Sequence, residues 1–174
     1  MIASIGIDPG KTGAVVALVL ASTGIRCVYQ ALTHHVAPGL EPALMYRATM
    51  DARNAIIDAT PEDVGYTISA VLERVGAMPK QGLSSTFHFG HGRGVWAGVL
   101  AGHGWHVLEP RPADWSRAIL RNIPGDDTKA RAIMRASSVA GLDLIPTGCR
   151  VPQDGLADAC CLALYGLGEA AIKK

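Results

Sequence analysis

The stretch Ile2-Ala-Ser-Ile-Gly-Ile-Asp8-Pro-Gly-Lys-Thr-Gly13 decides how the rest of the chain is read. Ile2 to Ile7 is an apolar run that stops at Asp8-Pro9-Gly10-Lys11, where Pro and Gly fill the two central positions of a type II turn. The run is therefore expected to be a strand entering a hairpin. Ala14 to Leu20 is the returning strand and Ile25 to Ala31 a third, giving a short antiparallel meander that ends in a loop from Thr33 to Pro42.

From Ala43 to Ala59 apolar and alanine positions recur every three or four residues between Arg47, Asp51, Arg53 and Asp58, the pattern of an amphipathic helix that Pro61 limits. Tyr66 to Leu72, β-branched at Thr67, Ile68 and Val71, predicts a fourth strand that delivers Glu73 at its end. Gly76 to Gly94 reads as a flexible glycine-rich stretch. Glycines at every fourth position from Gly94 to Gly102 then suit a helix whose small-residue stripe packs close to the sheet. Trp105 to Leu108 is the last strand, and helices are expected at about Ala113 to Arg121, Asp127 to Val139 and Gln153 to Ala171, separated by Pro124-Gly125 and Pro146-Thr147-Gly148. Strands first and helices later predict an α/β fold, a mixed five-stranded sheet flanked by helices. With 174 residues and no repeat or linker, one domain over 1–174 is expected.

Composition excludes several classes of function. The net charge is +1, so bulk electrostatics does not mark a nucleic-acid binder and any basic surface must be local. The longest apolar run, Ala14 to Ala21, is far below the roughly 18 residues a membrane span needs. Asp8-Pro9-Gly10 interrupts any signal peptide, and Cys27, Cys149, Cys160 and Cys161 form no C-x-x-C pair, so they read as buried thiols of a cytoplasmic protein. The six histidines show no metal-binding pattern such as H-E-x-x-H.

Four carboxylates stand out by where local structure places them. Asp8 and Glu73 end strands one and four, and Asp154 and Asp158 lie four apart on one helical face. Asp8 also suits a turn former, Glu73 a strand's exit into solvent, and Asp154 an acid favoured by the helix dipole. Asp158 is different. It sits in Leu156-Ala-Asp-Ala-Cys-Cys-Leu-Ala-Leu164, on a helix that reads as largely buried, where an ionised carboxylate costs several kcal/mol unless compensated. A divalent cation removes that cost together with the repulsion from Asp154. If the four acids converge, they suit two-metal phosphodiester hydrolysis.

This ordered set resembles the RuvC family of Holliday-junction resolvases, and its phage-type and chloroplast-type branches more than the bacterial enzyme. The resemblance runs from Ile5-Gly-Ile-Asp-Pro-Gly-Lys-Thr-Gly13 through Val71-Leu-Glu73, Met78-Pro-Lys-Gln-Gly82, Gly90 to Gly98 and Pro110-Arg-Pro-Ala-Asp-Trp115 to Lys129 and Asp154-Gly-Leu-Ala-Asp158-Ala. It implies an RNase H-like fold and a crossover junction endodeoxyribonuclease that cuts four-way DNA junctions in symmetric pairs as a homodimer. It further implies Asp8, Glu73, Asp154 and Asp158 as metal ligands for Mg²⁺, with Mn²⁺ also supporting activity. Lys129 is implied to contact the scissile phosphate or the water. The resemblance implies a bacterial cell or a phage-infected host as the setting. The first loop is shorter than in the bacterial pattern, and the final acid pair is separated by three residues rather than two, yet it still shares a helical face.

Six basic residues (Arg111, Arg117, Arg121, Lys129, Arg131, Arg135) against three acids (Asp114, Asp126, Asp127) give the 111–135 segment a local positive excess that suits a phosphate channel or two solvated helix faces. Phe87, His88, Phe89 and His91, followed by Arg93, read as a glycine-flanked loop that stacks on exposed bases or anchors to the core. Lys11 and Lys80 join Arg111, Arg117 and Arg131 as expected DNA contacts. Rival readings are an RNA-processing or flap-cutting nuclease and an actin-like ATPase-related domain. Gly10-Lys11-Thr12 misses P-loop spacing by one residue, and Gly92-Arg-Gly94-Val-Trp-Ala97 lacks a βαβ context, so no nucleotide cofactor is expected.

Overall fold

The computed structural model describes residues 1–10, 13–33, 41–62, 64–74, 76 and 82–172, the side chains of 41, 85 and 169–172 excepted. Three strands come first, β1 (Ile2–Asp8), β2 (Ala14–Ala21) and β3 (Gly24–Leu32), then α1 (Glu41–Asp58), β4 (Thr67–Leu72), α2 (Leu83–Gly102) and β5 (His106–Leu108). The helices α3 (Pro112–Ile119), α4 (Thr128–Ser137) and α5 (Asp154–Ile172) complete the order. The sheet runs β3-β2-β1-β4-β5. The meander is antiparallel, whereas β4 pairs parallel with both β1 and β5, so the five-stranded sheet is mixed as expected. Among the described residues no helix is long and apolar enough to cross a membrane.

The two faces of β1 explain how the layers assemble. Ala3, Ile5 and Ile7 point to one side and meet Met45, Ala52 and Ile56 of α1 and Trp96 and Leu100 of α2. Burying each large apolar side chain there contributes about 1.5–3 kcal/mol. The opposite side of β1 carries Ile2, Ser4, Gly6 and Asp8, and the small residues Ser4 and Gly6 in its middle admit α5 at close range. A Cβ on Gly6 would collide with the Ala159 carbonyl oxygen and the Ala163 amide nitrogen, and one on Gly166 would meet the Ser4 hydroxyl. The small residues of β1 thus fix where α5 lies.

Three local expectations are corrected. Gly10 does not have the positive φ that the expected type II turn requires at its third position, and Lys11 lies outside the described residues. Instead the Asp8 carboxylate accepts the Gly10 N–H at 3.0 Å, and Gly13 N–H bonds to the Gly10 carbonyl at 3.0 Å. The stretch expected to be loose up to Gly94 is helical from Leu83 onward. Glycine spacing argued for a loop, but Trp96 and Leu100 anchor the second half of α2 in the core, and extension from a formed helix avoids the cost of a new nucleus. Finally, the glycine stripe does not face the sheet: a Cβ on Gly90, Gly94, Gly98 or Gly102 would meet nothing within 4 Å. Of the four cysteines, Cys160 and Cys161 are buried, while Cys27 and Cys149 are half-buried.

Candidate active site

Strand periodicity and register bring the acids together. In the parallel pairing Gly6 lies opposite Val71 and Ile7 opposite Leu72, so Asp8 and Glu73 stand one step further along neighbouring strands. The Glu73 N–H continues the ladder to the Ile7 carbonyl at 3.4 Å. Asp8 shares the face of Gly6, and Glu73 that of Val71, which packs in the α5 layer. With Ala159 and Ala163 held over Gly6, the start of α5 brings Asp154 and Asp158 to the same end of the sheet.

Their electrostatics shows the proximity. Burial and then the charges of Asp8, Glu73 and Asp154 push the Asp158 carboxyl up to about 7. Burial, opposed by the Gly10 hydrogen bond and reinforced by Glu73 and Asp154, raises Asp8 to about 6. Glu73 is also raised by burial, partly countered by a hydrogen bond from the Trp115 indole. Asp154 goes the other way, held below the usual carboxylate range because Lys129 Nζ lies 2.6 Å from its Oδ2. Four like charges thus share one half-buried corner with one lysine against them. Among the described residues no three acidic, histidine or cysteine side chains are gathered closely enough to hold a metal ion as they stand. The arrangement is an open cluster of oxygen donors.

The expected DNA-contacting residues are placed unequally. Phe87 is 70% exposed on the first half of α2, its ring stacked with His91 and edge-on to His88, while Phe89 is half-buried. They form a helical ridge rather than the expected loop. Arg93 pairs with Glu109 at 2.7 Å, and Arg111 pairs with Asp114 at 2.9 Å in the capping box of α3. Arg131 turns its guanidinium inward to the carbonyls of Ile123 (2.9 Å) and Leu120, bracing the turn before α4. Arg117 remains exposed. Lys11 and Lys80 lie outside the described residues.

One residue at the site had been quoted without a role. The Trp115 indole N–H donates to Glu73 Oε1 at 2.8 Å. A tryptophan entering a helix near Pro112 signals burial, but its sequence position, 42 residues from Glu73, does not reveal the contact.

The sheet order and the helices on both of its faces give an RNase H-like fold. Structures similar to this chain include Thermus thermophilus RuvC in complex with a Holliday junction substrate (16% identity, TM-score 0.66, covering 98% of this chain and 96% of that one). Thermus thermophilus RuvC alone aligns at 17% identity and a TM-score of 0.64, covering 97% and 96%. The yeast mitochondrial Holliday junction resolvase Ydc2 aligns at 12% and 0.55, covering 98% and 80%. No family model matches the sequence, and no curated protein matches it.

Proposed function

We propose that residues 1–174 form a single nuclease domain, a metal-dependent endonuclease that resolves four-way DNA junctions by paired cuts as a homodimer. The observation that carries this reading is the corner where Asp8, Glu73, Asp154 and Asp158 raise or oppose one another's charge, on a fold shared with resolvases. Mg²⁺ is the ion we assign, with Mn²⁺ as a substitute. The chemistry of the donors fits it: the acids that act on one another's charge here are all carboxylates, and Mg²⁺ is usually held by one or two carboxylates with waters and substrate phosphate completing its shell. Asp8, Glu73, Asp154 and Asp158 would hold it, and the bound ions supply polarisation of water and of the scissile phosphate.

The protein's own part is positional. β1 and β4 fix two carboxylates on rigid strand ends, and α5 supplies two more from one helical turn. Lys129, now neutralising Asp154, is an exposed ammonium that a phosphate arriving in the corner would attract. Phe87, with His88 and His91, forms an exposed aromatic ridge suited to stacking on unpaired bases, and the exposed Arg117 and Arg111, the latter paired with Asp114, are the phosphate contacts we assign to α3 and its N-terminus.

The homodimer reading draws on α2. Glycines in an exposed helix cost about 1 kcal/mol each relative to alanine, and four of them on one open face need an offsetting gain. Close approach of a second helix would provide it. Gly98→Leu is accordingly expected to convert the protein from dimer to monomer in light scattering and to turn paired cuts into single nicks. A dimer of unchanged affinity would remove α2 from the interface.

The test of function is cleavage of a labelled four-way junction, a replication fork, a linear duplex and a structured RNA, with Mg²⁺ and with EDTA. Paired, symmetry-related nicks confined to the junction and lost in EDTA are expected. Equal cutting of the fork would widen the reading to branched DNA in general, and cutting of the RNA alone would overturn it.

A further inference from the structure

Trp115 sits where it touches no substrate and yet binds the one acid that comes from β4. It is 4% exposed and packs in the core layer formed by α3, α4 and α5. Its indole N–H gives Glu73 Oε1 a 2.8 Å hydrogen bond. The position of the ring is fixed from several directions. Pro112 opens α3, the Arg111–Asp114 capping box closes its first turn, and the Arg74 N–H ties the chain after β4 to the Pro110 carbonyl at 2.8 Å.

We propose that Trp115 is a positioning residue for metal binding, whose N–H fixes the rotamer of Glu73 so that its second carboxylate oxygen faces the corner shared with Asp8 and Asp158. Three consequences of the geometry support this. Glutamate has one more rotatable bond than aspartate, so Glu73 has more freedom to lose than the other three acids when it takes up a ligating pose. Glu73 Oε2 accepts no hydrogen bond from any described residue, so the indole engages one oxygen and leaves the other for a ligand. An indole is a donor only, and it therefore favours the ionised carboxylate without competing for a cation. Partners that orient metal ligands in this way typically change metal affinity or activity by about 10- to 100-fold when removed.

The inference rests on the metal-dependent reading above, and the experiment separates the two. Mn²⁺ binding to DNA-free protein is measured by the loss of free-ion electron paramagnetic resonance signal in wild type, Trp115→Phe and Asp158→Asn. The indole ¹H–¹⁵N resonance of Trp115, assigned by its absence in Trp115→Phe, is followed during Mg²⁺ titration. Expected are Mn²⁺ binding weakened about tenfold or more in Trp115→Phe, a Trp115 resonance that moves with Mg²⁺ in the wild type, and the same resonance immobile in Asp158→Asn. Junction cleavage by Trp115→Phe should need proportionally more Mg²⁺ and recover at saturation. Replacing the indole with benzothienylalanine, which keeps the ring volume and lacks only the N–H, gives the same weakening if Trp115→Phe folds poorly. Unchanged Mn²⁺ affinity in the benzothienyl protein, or a Trp115 resonance indifferent to Mg²⁺ while the wild type binds it, overturns the positioning role. Absence of ion binding in the wild type overturns the metal reading itself.

Discussion

Asp158→Asn is expected to lower junction cleavage by at least about 10³-fold, the rate equivalent of losing several kcal/mol of transition-state stabilisation. Asparagine keeps the shape and one oxygen acceptor of aspartate but carries no charge, so it fills the same place on α5 and cannot serve as an anionic ligand. Junction binding in EDTA should survive, because the substitution touches neither the Phe87 ridge nor the basic residues of α3. Cleavage that persists at near wild-type rate would place the chemistry elsewhere on the surface.

The same substitution has an opposite effect on stability, and its sign follows from the raised carboxyl. Asp158 ionises at an ordinary value of 3.8 when unfolded and at about 7 in the folded, metal-free chain, because burial and three neighbouring acids penalise the charge. Between these values the native state binds more protons than the unfolded state, so stability falls as pH rises. Asp8, raised to about 6, acts in the same direction over a narrower window. Asp154, lowered by Lys129, adds stability above the unfolded value that is lost only in more acid solution. In EDTA, Asp158→Asn should therefore melt above the wild type, by a margin that grows from pH 4 to about pH 7 and then levels off. Mg²⁺ should raise the wild-type melting temperature more at pH 8 than at pH 5, and raise that of Asp158→Asn little. A variant that is inactive and also less stable at pH 8 would point to structural damage instead of lost charge.

The local placement of the four acids was legible because it depends on short-range rules, whereas their meeting at one end of the sheet was not. A period of two set Asp8 and Glu73 at strand ends, and a period of 3.6 set Asp154 and Asp158 on one helix face. What was not legible depends on contacts across the sheet. The part of α2 before Trp96 carries Gly90, Gly92 and Gly94, whose local preference is for a loop, and its helicity is inherited from Trp96 and Leu100. Local spacing showed that the α2 glycines share a face but not which way that face points. Arg131 read as one more positive charge, whereas the turn at residues 120–123 claims its donors. Trp115 lay inside a quoted motif, but only the parallel pairing of β4 and the docking of α3 bring its indole to Glu73.

Gly6→Ala is expected to have the largest effect on stability of any single methyl addition considered, and it tests how the fold sets the site. The strand position is unexceptional by propensity, and alanine there would normally be neutral or helpful. Here the added carbon overlaps the backbone of α5 at Ala159 and Ala163, and backbone, unlike a side chain, has no other rotamer to adopt. Overpacking of a core commonly costs 1–3 kcal/mol, and a backbone collision belongs at or above the top of that range. A loss of about 3 kcal/mol in a chain of this length lowers the melting temperature by roughly 6–12 °C. Gly168→Ala, on the exposed side of α5, is the control: its methyl meets nothing within 4 Å and improves helix propensity, so it should leave the folded chain as stable or more so. The collision also reaches the chemistry. If α5 rides outward to relieve it, Asp154 and Asp158 move away from Asp8 and Glu73 together, so any Gly6→Ala protein that still folds should bind Mn²⁺ more weakly than the wild type while retaining all four acids. Wild-type Mn²⁺ affinity and stability in Gly6→Ala would mean that α5 does not lie as close to β1 as the two glycines require.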